Sequence, residues 1–178
     1  LRGSSADEST LPGSDFLSQL TQEWEDATRL VEQLGVRRCV VRLAVVLSNK
    51  GGLFPLMEFP VRAFLGGPIG SGKQVVPWIH IDDVVGAICF LMKTEKARGP
   101  YNLVAPEITT NASFIKTLAQ KLNRPYWFRV PALLFKVLLG EMSVLVIEGR
   151  GAIPRRLLDD GYRFEFRDLQ SAIDDLMC

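Results

Sequence analysis

The run Cys39-Val40-Val41-Arg42-Leu43-Ala44-Val45-Val46-Leu47 decides how this chain reads. Its apolar, largely β-branched residues occupy consecutive positions, so both faces of the strand it predicts are apolar. Such a strand belongs in the middle of a parallel sheet, covered on two sides. Before it, Phe16, Leu17, Leu20, Trp24, Ala27, Leu30, Val31 and Leu34 recur at threes and fours and predict a helix up to Leu34. Ser14 or Asp15 can cap that helix and Gly35 stops it. Residues 1–13 are rich in Ser, Gly and acidic groups and have loop composition. After the run, Asn49–Gly52 is a turn. Residues 53–65 read as a helix that Pro55 and Pro60 break or kink. Residues 66–72 form a glycine loop, and Val75–Ile81 is extended, with Pro77 keeping it off a central ladder.

Asp82 caps a predicted helix to about Met92. Residues 101–105 form a short strand, and Thr110 or Asn111 caps a helix to about Leu122. Residues 126–130 read as a strand, 131–139 and 142–148 as helices, and Pro154 fits the first turn of a short helix that Gly161 ends. Residues 162–166 read as a strand, and Asp168 caps a terminal helix. Helices alternating with short strands predict an α/β fold.

The chain has 178 residues, room for one domain or one domain plus a small lobe. Lys and Arg total 21 against 20 Asp and Glu, a net charge of +1, which gives no argument for nucleic acid or an anionic membrane surface as partner. Hydrophobic residues at 47% and charged residues at 23% exclude a largely disordered chain. No apolar run has spanning length, because Pro131 and Lys136 interrupt the longest, from Val130 to Leu139, so no membrane partner is expected. Cys39, Cys89 and Cys178 have no paired spacing and read as two core residues and a terminal thiol, with a reducing, cytoplasmic compartment as the default. His80 is the one histidine, which excludes a multi-histidine metal site. The first residue is Leu1, so the sequence is silent on targeting.

Gly67-Pro68-Ile69-Gly70-Ser71-Gly72-Lys73 fits the spacing of a phosphate-binding loop. That loop needs a helix after it and Ser or Thr after the Lys, whereas Gln74-Val75-Val76-Pro77-Trp78 follows, so a connector beside a ligand cleft is the better reading. His80 has no nucleophile motif to serve. Asp82 and Asp83 read as capping and dipole-favouring residues rather than a catalytic pair. Arg150, Arg155 and Arg156 offer an anion site or a solvated face, and Trp127 reads as core.

In order along the chain, several tracts resemble the extended short-chain dehydrogenases/reductases. They are Cys39–Leu47 with its glycine turn, Trp78-Ile79-His80-Ile81-Asp82-Asp83-Val84-Val85-Gly86-Ala87, and Gly99-Pro100-Tyr101-Asn102-Leu103-Val104-Ala105-Pro106-Glu107. A narrower set is similar to the NAD-dependent epimerase/dehydratase-like family that ends in a small domain of unknown function. It comprises Gly13-Ser14-Asp15-Phe16-Leu17, Trp24-Glu25, residues 65–72, Trp78–Asp83, Ala105-Pro106-Glu107, Thr110-Asn111-Ala112, Leu139-Gly140-Glu141-Met142 and Pro154-Arg155-Arg156-Leu157.

The resemblance implies the C-terminal part of a Rossmann-like doubly wound parallel sheet in residues 1–105 and a small helix-rich lobe in 106–178. It implies that the glycine-rich βα turn for dinucleotide phosphates belongs to a half this chain does not contain. It places Leu43, Ala44, Val45 and Val46 against the nicotinamide through backbone groups. It places the 65–72 loop, with Gly67, and Lys73, Trp78 and His80 on the substrate side. The cofactor implied is NADP or NAD, and the partner a small-molecule substrate, by superfamily habit a nucleotide sugar. The superfamily's acid/base Tyr and its Lys fall at about Leu17 and Thr21, neither of which can exchange a proton that way. The leading expectation is a fragment of an epimerase-family oxidoreductase, inactive alone. The rivals are a non-catalytic dinucleotide-binding or scaffold protein and a fragment of a P-loop NTPase. An exposed sheet edge around Val40–Leu47 predicts self-association.

Overall fold

The computed structural model describes residues 6–129 and 151–177. Helix α1 spans Phe16–Ala27, capped by Asp15, whose carboxylate accepts from Ser18 N. The helix expected to reach Leu34 stops early, and Arg29–Leu34 continue as a 3-10 helix ended by Gly35 in the left-handed region. Two side chains draw off the carbonyl of Glu25: Arg38 donates to it at 3.0 Å and the Thr28 hydroxyl at 3.1 Å. These bonds compete with continued α-helix.

The deciding run is two strands, β1 (Cys39–Leu43) and β2 (Val45–Leu47). The break at Ala44 has a plain cause in the hydrogen bonds. Ala44 N donates to Leu103 O, while Val45 N donates to Pro77 O, so successive amides serve two different neighbours. Thus β1 pairs in parallel with β4 (Gly99–Leu103), and β2 in parallel with β3 (Trp78–His80). Pro77 does not keep its segment off the ladder. A proline lacks only the donor, and its carbonyl takes the Val45 amide while Trp78 O accepts from Ala105 N.

Helix α2 (Phe54–Arg62) carries Pro55 in its first turn, where no amide partner is needed, and Pro60 inside. Helix α3 spans Ile81–Lys93, α4 Asn111–Lys121, α5 Arg155–Asp159 and α6 Leu169–Leu176. Thr110 and Asp168 cap α4 and α6 as expected, but the cap of α3 is His80 rather than Asp82.

Alternate residues of the strands face opposite cores. Leu47 and Trp78 join Phe54, Val61, Phe114, Leu118, Ala172 and Ile173 on one face. Ile79 and Leu103 join Val84, Ala87, Leu91, Tyr101 and Leu157 on the other. The strands form two parallel pairs, β1–β4 and β2–β3. Helices cover both faces of the second pair, and the first core draws on residues from either side of position 105.

Three expectations fail on burial. The run is not covered on two sides among the described residues, since Val41 is 38% and Leu43 54% exposed. Trp127 is not core; it is 72% exposed, with its indole N–H donating to Phe64 O. Cys39 is half-buried and Cys89 exposed. Two predicted strands are also absent. Trp127 N and Phe128 N both donate to Gly66 O, and Glu165 N and Phe166 N go to a carboxylate. The predicted helices in 131–148, Arg150 and Cys178 lie outside the described residues.

Two networks fasten α5 to β4. Glu8 is buried and accepts from Asn102 N and Arg156 N. The Arg156 guanidinium lies 4.2 Å from the Tyr101 ring centre and donates to Pro100 O and Arg98 O, so it is neither a free anion site nor a solvated group. Burial, then the hydrogen bond to Asp160, pushes the Tyr101 phenol up to about 12. The same bond holds the Asp160 carboxyl below its ordinary value.

A phenol whose native pKa is raised stabilises the fold fully below its unfolded value near 10 and loses that contribution as pH rises toward 12. Two units correspond to about 3 kcal/mol. Urea unfolding of wild type between pH 9 and about 12 is therefore expected to show a fall in stability that is reduced in Tyr101→Phe, the remainder coming from Tyr162, whose phenol is raised as well. Parallel pH profiles for the two proteins would count against this.

Candidate functional site

The tract most like a family motif forms the corner from β3 into α3. Trp78 is fully buried and its indole donates to Thr109 Oγ1 at 3.0 Å. His80 is 1% exposed. Its Nδ1 accepts from Asp82 N at 3.2 Å, and its ring lies 3.9 Å from that of Phe166. Nε2 has no hydrogen-bond partner among the described residues and faces Asp175 Oδ2 at 3.4 Å.

Asp83 turns inward. It accepts from the Tyr162 hydroxyl at 3.0 Å and from Glu165 N and Phe166 N at 2.9 Å each. Burial, then the charge of Asp83, raises the Tyr162 phenol above its ordinary value. Sequence reading made Asp83 a dipole-favouring residue and missed this role. The available signal was spacing: Asp83, Ala87 and Leu91 recur every four residues, on one buried face of α3.

The residues implied for the nicotinamide sit at the carboxyl end of the deciding run. Leu43 is exposed and Ala44, Val45 and Val46 are half-buried. The N–H groups of Ala44 and Val45 are used inside the sheet. What this strand end offers a ligand is thus apolar surface more than free donors.

The four residues implied for the substrate do not share one open surface. Trp78, His80 and Gly67 are buried, while Lys73 is exposed. A Cβ on Gly67 would come within 1.6 Å of Phe128 O, so the Phe128 backbone packs directly on that glycine, as Pro125 O does on Gly66.

The glycine loop fails as a phosphate cradle on geometry as well as sequence. Ile69 N donates to Asn111 Oδ1, Gly72 N to Ile69 O, and Lys73 N to Ser71 Oγ. The strand β3 follows it, not a helix. Asn111 is fully buried, and sequence reading noted it as a cap and as part of a family tract but not as the anchor of the loop; an Asn at a helix start facing a glycine turn was the signal. On the helix matching the family's Tyr and Lys, Leu17 carries no proton and the Thr21 hydroxyl donates to Leu17 O and Ser18 O.

A parallel sheet with helices on both faces and its strand ends open at Leu43–Val46 defines the carboxyl-side part of a Rossmann-like α/β protein. The comparisons agree. Residues 130–176 match the domain of unknown function DUF1731. The chain is 42% identical over 168 residues to the epimerase family protein SSP1921 of Staphylococcus saprophyticus, a match covering 94% of this chain and 56% of the relative. It superimposes with a TM-score of 0.92 and 38% identity on the crystal structure of the human epimerase family protein SDR39U1 (isoform 2) with NADPH, covering 97% of this chain and 59% of that one. A nucleoside-diphosphate sugar epimerase from Corynebacterium glutamicum matches with a TM-score of 0.78 and 28% identity, covering 96% of this chain and 32% of that one.

These matches support an epimerase family of atypical short-chain dehydrogenases/reductases, to whose carboxyl-side portion the chain is similar. It spans about half the length of the curated relatives it matches. Among the described residues no helix is long and apolar enough to cross a membrane.

Proposed function

We propose that this chain is the substrate-side portion of an NAD(P)-dependent epimerase-family oxidoreductase that acts on a small molecule in a reducing, cytoplasmic compartment. The observation that carries this reading is the 0.92 TM-score to a relative solved with NADPH. NADPH is the cofactor favoured for the same reason. The described residues fit the ring end of such a cofactor, because Leu43 to Val46 present an apolar, part-exposed strand end. They do not supply its phosphate site, since the Ile69, Gly72 and Lys73 amides of the glycine loop are spent within the fold and no helix follows the loop. When bound, the cofactor would supply hydride chemistry. This chain's own part is to present the strand end and to hold the 65–73 loop, with Lys73 at its exposed edge, by the Asn111 and Gly66 contacts.

A second reading, a dinucleotide-binding protein without turnover, is favoured by Leu17 and Thr21, which provide no acid/base pair. Calorimetry with NADPH and NADH, on this chain and on the protein extended to the length of its relatives, tests the first reading. Binding is expected only in the extended protein. Absence from both would remove the cofactor argument, and binding without turnover across carbonyl and nucleotide-sugar substrates would leave the second reading in front.

Phe16, Leu17, Trp24, Leu30, Val41 and Leu43 are all substantially exposed on α1, the 3-10 turn and β1. Apolar surface on that scale associates. Light scattering of the isolated chain is expected to show self-association above micromolar concentration, and a stable monomer would contradict it.

A further inference from the structure

We propose that His80, Asp82 and Asp175 form a binding site for one divalent transition-metal ion of the zinc type, tying the β3–α3 corner to the terminal helix α6.

His80 is almost wholly buried, yet its Nε2 has no hydrogen-bond partner among the described residues. Buried imidazole nitrogens are seldom left so. The nitrogen faces Asp175 Oδ2 at 3.4 Å. Zinc–nitrogen and zinc–oxygen bonds of about 2.0–2.2 Å in a tetrahedron put neighbouring donors about 3.4 Å apart, so one ion fits between the pair without moving either backbone. Asp82 adds the third group, its Oδ2 lying 3.7 Å from Nδ1. One donor atom from each of the three residues lies within 4.8 Å of the others.

The donor set selects the metal. One imidazole and two carboxylates suit zinc, cobalt or nickel, whereas calcium and magnesium favour all-oxygen sites. Both carboxylates are more than half exposed, which gives the ion an entry path and leaves a fourth position to solvent. Without metal, Nδ1 accepts the Asp82 amide, so the neutral ring carries its proton on Nε2. An ion on Nε2 moves that proton to Nδ1, which then gives up the bond from the Asp82 amide.

Because the chain has one histidine, a long-range proton–nitrogen NMR spectrum contains one imidazole. Zinc added to the chelator-treated chain is expected to bind one per chain by calorimetry and to move the imidazole proton from Nε2 to Nδ1. Asp175→Asn, at an exposed position that leaves the fold intact, should weaken binding at least tenfold, and Asp82→Asn by a smaller factor. Replacing all three cysteines by serine should leave binding unchanged. No shift of the imidazole, binding that survives Asp175→Asn, or binding lost with the cysteines would each overturn the proposal.

Discussion

Asp83→Ala is expected to lower the unfolding free energy by about 3–5 kcal/mol. The carboxylate is the acceptor for Glu165 N, Phe166 N and the Tyr162 hydroxyl, and it is 1% exposed. Alanine leaves two amides and a phenol without it in a site water does not easily reach. Each orphaned buried group costs about 1–3 kcal/mol. Tyr162→Phe removes one bond and a hydroxyl together and should cost only about 1 kcal/mol. Asp83→Asn, which keeps one carbonyl oxygen, should fall between. Urea unfolding followed by tryptophan fluorescence reads all three. If Asp83→Ala melts like wild type, the carboxylate does not hold the 162–166 segment.

The second large effect is expected at Gly67→Ala. The new methyl would lie 1.6 Å from the Phe128 carbonyl oxygen, and that obstacle is backbone, which cannot swing aside. Either the 65–72 loop or residues 125–128 must move, breaking the bonds from Trp127 N and Phe128 N to Gly66 O. Overpacking of this severity costs about 3 kcal/mol. Trp127, exposed and held through Phe64 O, should report the shift as a change in emission. Ser71→Ala in the same loop should cost far less, since that hydroxyl is exposed and serves one amide. A stable Gly67→Ala protein altered only in ligand binding would mean that this glycine serves a ligand and not the packing of 125–128.

The fold class and most element positions were legible because they rest on short-range rules. Asp15, Thr110 and Asp168 cap their helices as side-chain oxygens before apolar turns do. The consecutive apolar residues 39–47 announced a parallel sheet, and the ordered motif set announced the family. What was illegible depends on partners distant in sequence. Nothing local to Tyr162–Phe166 says that its amides go to Asp83 instead of a neighbouring strand. Nothing near Ala44 says that its two flanking amides have separate partners at Leu103 and Pro77. His80 displaced Asp82 as the cap because an imidazole nitrogen accepts an amide as well as a carboxylate does, a choice set by the ring's burial against Phe166. Trp127 misled for the opposite reason: composition marks a tryptophan as buried, and only the position of the Phe64 carbonyl puts it outside.

Glu8 carries a consequence for the timing of synthesis. Its two acceptor oxygens are matched to Asn102, 94 positions later, and to Arg156, 148 positions later. A chain leaving the ribosome presents Glu8 well before either partner and must keep that carboxylate hydrated until Arg156 has emerged. That contact therefore waits on the synthesis of everything between Glu8 and Arg156, and loop closure over so long a span is slow. A nascent chain arrested before Arg156 would leave the segment around Glu8 half-fastened, accessible to proteases that the folded chain excludes.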